Sequence, residues 1–357
     1  MIFNIDIAIV AGYMVFCLVI GLFKYGTIKN IRDYTLGTKP FSTIVLLATT
    51  FATAISARYI GDIGKAYQLG MIYMIPLFFW PLGWFIFSKL FVTNLTTFHK
   101  HKFISLSDIM EHWYGNLGRW STNVISVFLS LGITAMSAIA IGYLLNYFLK
   151  IPEVTGIIIG LAVVTGYSFF GGIMSVAFTD VFQFLIFFIA IPIACIMGYQ
   201  EVGAKVWASL PVTHLEISSD NIPLFISFIF YALIPYCAIP YIQRALIAKD
   251  KTQFTQSFTS VAVLLIPLLL TICLIGFITH SDAPEIQNDQ VLYYFIDRYL
   301  PIGLKGLMIA GILSIIMSTQ DSYLNATGVL ISHDICKQIW PSITEKQELL
   351  IARVSCI

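Results

Sequence analysis

The sequence predicts an all-α membrane protein that crosses the bilayer several times. Hydrophobic residues make up 58% of the 357 residues, whereas charged residues make up only 11%. Soluble domains contain about 45–50% apolar and ~25% charged residues. The apolar residues are also clustered in runs of roughly 20, which is the length that an α-helix needs to cross a bilayer. Composition and run length together therefore predict a polytopic helical bundle.

Nine apolar runs are candidate transmembrane helices. They cover 5–24, 41–64, 71–93, 120–149, 153–173, 178–199, 222–242, 256–279 and 304–332. The first run has no basic residue ahead of it, so we interpret it as a retained helix rather than a signal peptide. The fourth run is long enough to tilt or break, and a short amphipathic helix is expected before it, at 106–114. Pro235 and Pro240 predict a broken helix in the seventh run.

The distribution of lysine and arginine predicts the orientation of the chain. With the loop after the first run placed inside, twelve basic residues fall in inner loops and five in outer loops. The inner set is Lys24, Lys29, Arg32, Lys39, Lys100, Lys102, Arg119, Arg244, Lys249, Lys251, Lys337 and Lys346, and the outer set is Lys65, Lys150, Lys205, Arg298 and Lys305. Because basic loops are retained in the cytoplasm, we expect a multi-pass protein of the cytoplasmic membrane with its N-terminus outside.

The ninth run contains a polar stretch in an apolar setting. Ser318 and Thr319 are adjacent hydroxyl residues, Asp321 carries a charge, and Asn325 follows shortly after. Polar groups at membrane depth are costly unless they face protein, water or a bound ion. We therefore expect an ion or substrate site here. The alternative is ordinary hydrogen bonding between helices or to the preceding helical turn.

Several motifs occur in an order that is specific when they are taken together. They are IRDYTLG at 31–37, GGIMSVAFTDVFQ at 171–183, QR at 243–244, LPIGLKGL at 300–307 and MSTQDSYLN at 317–325, with HDICK at 333–337 ending the ninth run. In these motifs and their order the sequence resembles the sodium/solute symporter family, and the resemblance covers nearly the whole chain.

The resemblance implies a LeuT-like bundle of two inverted five-helix repeats, with broken helices holding substrate and sodium at the midplane. The chain would form a single transmembrane domain in which 5–24 is an extra helix before the core. Residues 41–199 would form the first repeat, and 222–357 would form an incomplete second repeat. Two more core helices are expected after Ile357, so we also consider a partner chain that supplies them.

The resemblance further implies a sodium site shared by two helices. Ser318 and Thr319 would supply hydroxyl ligands, and Ile315 would supply a carbonyl. The second run would supply the carbonyls of Ala52 and Ile55. Neutral hydroxyl and carbonyl oxygens are sufficient for a hard, singly charged cation. Sodium would be the coupling ion, and no other cofactor is implied.

Two carboxylates are candidates for supporting roles. Asp321 would stabilise the sodium site electrostatically or bond to an unwound helix, and the alternative is a buried structural carboxylate with an unidentified partner. For Asp180 the resemblance implies a station on the cytoplasmic sodium exit. The alternative for Asp180 is an N-terminal cap of the sixth run, with Thr179 beside it.

The candidate substrate residues are Ser56, Arg58, Tyr59 and Tyr231. An arginine offers a planar fork that suits a carboxylate, so an inward-pointing Arg58 would indicate an anionic or zwitterionic substrate such as an amino acid. The alternative is that Arg58 extends to the outer interface or pairs with Asp62, one helical turn away.

These features favour sodium-coupled symport of a small polar solute by alternating access, with the lipid bilayer as the surroundings. Two other interpretations stay open: a symporter-like sensor module, and an inactive truncated remnant of a transporter. A membrane enzyme is disfavoured because no nucleophile–base pair and no metal constellation is visible. The net charge of +1 gives no reason to expect a nucleic-acid partner.

Overall fold

The computed structural model describes residues 5–22, 28–234 and 237–356, and this part of the chain is helical without β-strands. The α-helices are α1 (Ile5–Leu22), α2 (Ile31–Leu36), α3 (Thr43–Ala54), α4 (Arg58–Leu69), α5 (Met71–Leu77), α6 (Trp80–Lys100), α7 (Leu106–Leu149), α8 (Glu153–Val202), α9 (Lys205–Ser209), α10 (Val212–Leu215), α11 (Ile222–Leu233), α12 (Ile239–Ile247), α13 (Lys251–Asp282), α14 (Val291–Tyr299), α15 (Leu304–Val329), α16 (Lys337–Ile339) and α17 (Glu345–Val354). A π-helical turn, Leu330–Cys336, continues α15. The all-α prediction is confirmed.

Five helical stretches in the described residues are long and apolar enough to cross a membrane, and the bent pair α3–α4 adds a sixth. They are Met71–Lys100, Leu106–Leu149, Glu153–Val202, Lys251–Asp282 and Leu304–Ile339. The nine predicted runs differ from this set for two reasons. Two of the runs fall on the single element α8, and α1 and α11 are apolar helices of less than full span length. The chain is a multi-pass membrane protein, as predicted.

A turn at Gly172 divides α8 into two helical segments. Gly172 has φ 52° and ψ −150°, a conformation that is essentially restricted to glycine. It lies against Tyr34, and a Cβ at this position would be 2.7 Å from the Tyr34 ring. The boundary between the fifth and sixth runs therefore lies at 172 rather than between 173 and 178. The second segment begins earlier than predicted.

Replacing Gly172 with alanine is expected to destabilise the fold. The backbone strain alone costs about 1–3 kcal/mol for a residue with a Cβ, and the Tyr34 ring leaves no space for the methyl group. The melting temperature of the detergent-purified protein, followed by circular dichroism, should fall. Gly132→Ala in α7 is the matched control, because nothing lies within 4 Å of its Cβ position. Equal melting temperatures for the two variants would contradict this account.

The second predicted run is interrupted between α3 and α4, whose axes are bent by 55°. The last helical hydrogen bond of α3 joins the Ile55 amide to the Phe51 carbonyl at 3.3 Å. Ile55 itself has extended backbone angles, and α4 begins only at Arg58. The carbonyls that follow Phe51 therefore have no partner within the helix.

The predicted break in the seventh run is also present. α11 ends at Leu233 and α12 begins at Ile239, so the run consists of two short helices. Pro240 is accommodated in the first turn of α12, where a missing amide hydrogen costs little. Pro235, the other proline behind this prediction, lies outside the described residues.

α15 lies at the centre of the bundle and packs against α8, α7, α1 and α3. Every side chain from Met308 to Ala326 is buried, so the polar residues of this helix face other helices instead of lipid. Asp6 of α1 holds its N-terminal end. The amides of Gly303 and Gly306 donate to the Asp6 carboxylate at 2.7 and 2.8 Å, a favourable arrangement at a helix N-terminus.

A second glycine turn, at Gly115, separates the predicted short helix at the start of α7 from the long apolar span. Arg119 follows this turn and is buried. Its guanidinium pairs with Asp108 at 3.0 Å and with Asp334 at 3.2 Å. These ion pairs attach the short helix to the π-helical end of α15 and so stabilise the side of the bundle predicted to be cytoplasmic.

Candidate functional site

Five oxygen atoms converge where α15 passes the break between α3 and α4. The Ser318 hydroxyl lies 3.0 Å from the Ala52 carbonyl and 3.0 Å from the Ile315 carbonyl. The Thr319 hydroxyl lies 2.9 Å from the Ile55 carbonyl and 3.3 Å from the Ile315 carbonyl. The structure thus brings together all five residues that were expected to form the sodium site.

The physical origin of this cluster is the end of α3. The last carbonyls of a helix lack intrahelical partners and carry the negative end of the helix dipole. Here they face two hydroxyl groups of α15, which donate to them. Hydroxyl oxygens keep lone pairs for a cation, and three carbonyls with two hydroxyls form an uncharged set of hard oxygens. This donor set fits a monovalent hard cation better than a soft or multiply charged metal.

Asp321 has the partner that the sequence left unidentified. It is buried, and the Tyr167 hydroxyl donates to its carboxylate at 2.7 Å. The neighbouring Ser322 hydroxyl lies 3.3 Å from the other carboxylate oxygen and also donates to the Ser318 carbonyl at 2.7 Å. Asp321 is therefore a structured carboxylate one turn away from the hydroxyl pair, and it is attached to α8 through Tyr167.

Asp180 is not the N-terminal cap of a helix, so the alternative interpretation given for it in the sequence analysis is wrong. Because the second segment of α8 begins after Gly172, Asp180 lies about two turns inside a helix and is fully buried. It accepts a hydrogen bond from the Thr49 hydroxyl of α3, and the Arg244 guanidinium lies 3.5 Å from its carboxylate. Thr179 donates to the carbonyls of its own helix instead of capping it.

Arg244 is a residue whose role sequence reasoning missed. It was counted among the basic residues of the inner loops, but it is completely buried in the bundle. Its guanidinium donates to Ser322 at 2.6 Å and to Thr49 at 3.3 Å, in addition to facing Asp180. The sequence signal for its burial was the position of this arginine in the QR motif, directly at the end of a broken apolar run. Arg244 joins α3, α8, α12 and α15 next to the oxygen cluster.

A cavity of about 370 Å³ lies beside the oxygen cluster and shares Thr319 with it. Its lining is mostly aromatic and apolar, with a few charged groups on α4. The lining residues are Ala54, Ser56, Ala57, Arg58, Gly61, Asp62, Lys65, Trp80, Trp84, Ile133, Met136, Tyr231, Tyr241, Thr319 and Tyr323. The volume falls in the range of small-molecule sites.

Both interpretations of Arg58 hold in part. Arg58 lines the cavity, and it also pairs with Asp62 through Nε at 3.0 Å. Its guanidinium lies 4.7 Å from the Trp80 ring centroid and 5.2 Å from the Tyr231 ring centroid. It does not extend to an outer interface, since its side chain is only 19% exposed. Cation–π contacts of this kind keep a guanidinium in place against the cavity wall.

The other predicted substrate residues separate into two groups. Ser56 and Tyr231 line the cavity, as expected for substrate contacts. Tyr59 does not line it. Tyr59 is buried on the opposite side of α4, where its hydroxyl lies 2.8 Å from that of Thr271 in α13. Successive residues of a helix point about 100° apart, and here Arg58 lines the cavity while Tyr59 packs against α13.

The family of known proteins that matches this chain is the sodium:solute symporter family, SSF, and the match covers residues 34–357. The chain belongs to this family. The symporters of this family are transporters and not enzymes, which agrees with the prediction from the motifs.

Similar curated proteins include transporters for chemically different solutes. The symporter is 25% identical to the sodium/glucose cotransporter of Vibrio parahaemolyticus, over 99% of this chain and 73% of that protein. It is 24% identical to the sodium/sialic acid symporter SiaT of Proteus mirabilis, over 99% of this chain and 75% of that protein. It is 23% identical to the osmoregulated proline transporter OpuE of Bacillus subtilis, over 99% of this chain and 76% of that protein. The solute of this symporter therefore has to be inferred from its own cavity.

A solved structure confirms the expected fold. The symporter resembles a Na+-coupled sialic acid symporter in a substrate-bound, outward-open state, with a TM-score of 0.87. The match covers 99% of this chain and 78% of that chain at 21% identity. The LeuT-like helical bundle predicted from the motifs is therefore the fold of this symporter.

Proposed function

We propose that this protein binds Na+ at the oxygen cluster and carries a small solute in the adjacent cavity. The observation that supports it is the convergence of five oxygens from two helices, one of which is broken at that point. The ligands are the carbonyls of Ala52, Ile55 and Ile315 and the hydroxyls of Ser318 and Thr319. Sodium is the only resident ion that this proposal requires.

Coupling between ion and solute follows from shared elements. The break between α3 and α4 contributes Ala52 and Ile55 to the ion site and Ser56 and Arg58 to the cavity. Thr319 contacts both. A sodium ion that binds both α15 and the segment between α3 and α4 therefore orders one wall of the cavity. Sodium and the solute then favour the same conformation of the protein. The inward sodium gradient then supplies the work of transport.

The charged groups of the cavity favour an organic anion or zwitterion as the solute. Arg58 presents a guanidinium in an aromatic wall, a setting that recognises a carboxylate. Asp180 and Asp321 act beside the ion, where Arg244 and Tyr167 hold them. From the lysine and arginine distribution, we place the symporter in the cytoplasmic membrane with its N-terminus outside.

Sodium-specific stabilisation of the purified protein tests this proposal. A cation that binds only the folded state raises the melting temperature with concentration. NaCl should raise it more than equimolar KCl or choline chloride. In proteoliposomes, uptake of radioactive proline, glucose, sialic acid or myo-inositol should be measured under an inward sodium gradient and compared with uptake under an inward potassium gradient. Identical melting curves in sodium and potassium would contradict the proposed ion site.

A further inference from the structure

The described lining of the cavity carries one more positive than negative charge. Its charged side chains are Arg58, Asp62 and Lys65, which occupy one face of α4 at a spacing of four and three residues. Gly61, between them, has no side chain and nothing within 4 Å of its Cβ position. The charged face of α4 is therefore open to a solute.

The negative charge of Asp62 is already compensated. One carboxylate oxygen accepts from Arg58 Nε at 3.1 Å and from the Tyr73 hydroxyl at 2.5 Å. The other accepts from Arg58 Nε at 3.0 Å. Asp62 is only 1% exposed, so it offers little to the ammonium group of a solute. Arg58 and Asp62 form a balanced pair in the cavity wall.

Lys65 supplies the charge that is left over. In the described part of the chain it contacts the ring of Tyr73, with Nζ 5.4 Å from the centroid, and it has no carboxylate within 4.0 Å. The side chain is exposed and lines the cavity. An ammonium group in this position attracts an anion and repels a cation.

We infer that the solute is a small organic monocarboxylate and that Lys65 recognises its charge. This inference rests on the proposed function of the cavity as the solute site. A neutral sugar would leave the positive charge unmatched, and the ammonium of an amino acid would meet Lys65 and Arg58 without an available carboxylate. Trp80, Trp84 and Tyr241 would pack against the apolar body of the solute.

Three compounds of the same shape test this assignment. Cyclopentanecarboxylate is an anion, cyclopentanecarboxamide is neutral, and L-proline is the zwitterion of the same ring size. Their affinities for the purified, full-length protein would be measured by isothermal titration in saturating NaCl. The anion should bind at least about tenfold more tightly than the amide or proline, as expected for one charge-assisted contact.

Charge-changing variants then identify the residue responsible. Lys65→Gln brings the lining to zero charge and should reduce the affinity for the anion about tenfold, with little effect on the amide. Arg58→Gln also brings the net charge of the cavity lining to zero. The double variant Arg58→Gln with Asp62→Asn leaves Lys65 as the one charged residue of the described lining, so it restores the single positive charge and should recover the anion preference. Lys89→Gln is the matched control, because Lys89 lies on α6 against Phe85 and does not line the cavity.

The outcomes separate this inference from the proposed function. Equal or tighter binding of the amide or proline would overturn the monocarboxylate assignment, and so would an anion preference that survives Lys65→Gln. Absence of binding by all three compounds, while NaCl still stabilises the protein, would also overturn it and leave the ion site in place. Absence of any sodium effect would instead overturn the proposed function.

Discussion

Replacing both Ser318 and Thr319 with alanine should abolish sodium-dependent uptake. The two substitutions remove two of the five oxygens that surround the proposed ion position and leave the Ala52 and Ile55 carbonyls facing a methyl group. Sodium-driven uptake in proteoliposomes and sodium-induced thermal stabilisation should both be lost.

A matched control separates loss of the ion from loss of helix packing. Ser314 and Thr327 are also on α15, and their hydroxyls donate to the carbonyls of Ala310 and Tyr323 in the same helix. Their double alanine variant removes the same groups from the same helix without touching the oxygen cluster. Thr319→Ser keeps a hydroxyl and should keep part of the sodium response. If the Ser318/Thr319 variant retained full sodium dependence, the pair would be ordinary interhelical bonding groups.

Replacing Arg244 with glutamine should cause the largest loss of stability. The guanidinium is fully buried and contacts Asp180, Thr49 and Ser322. Removing one partner of a buried ion pair costs about 3–5 kcal/mol, because the remaining charge is left without compensation. The melting temperature of the purified protein should fall markedly, and Arg244→Lys, which keeps the charge but loses the planar fork, should lie in between.

Arg298 provides the comparison for Arg244. Its guanidinium also pairs with a carboxylate, that of Glu201 at 2.8 Å, but both side chains are about half exposed. Exposed ion pairs contribute little, so Arg298→Gln should leave the melting temperature almost unchanged. A decrease for Arg244→Gln no larger than that for Arg298→Gln would show that the buried network does not hold the bundle together.

Much of the ion site followed from sequence because its ligands are local features. The adjacent hydroxyls of Ser318 and Thr319 in an apolar run are visible without a structure, and the resemblance to the family supplied the carbonyls of Ala52, Ile55 and Ile315. The structure then placed these residues within hydrogen-bonding distance. Their identity as sodium ligands stays a prediction until the alanine variants are measured.

The environment of the charged residues did not follow from sequence in the same way. Asp180 was expected near the start of a helix, because the break at Gly172 was placed several residues too late. Arg244 was assigned to a loop, although α12 extends past it and buries it. In both cases an error of a few residues in an element boundary changed the predicted surroundings of a charge.

The sequence by itself determined that the chain is a helical membrane protein and that its seventh run is broken, because apolar runs and prolines act locally. It also singled out Ser318 and Thr319 as candidate ion ligands. Only the tertiary structure decided that Tyr59 turns away from the cavity, that Arg58 is balanced by Asp62, and that Lys65 is left with surplus charge. Those outcomes depend on the direction of each side chain around α4 and on which distant helix it meets. Contacts between residues far apart in sequence are set by the packing of the whole bundle.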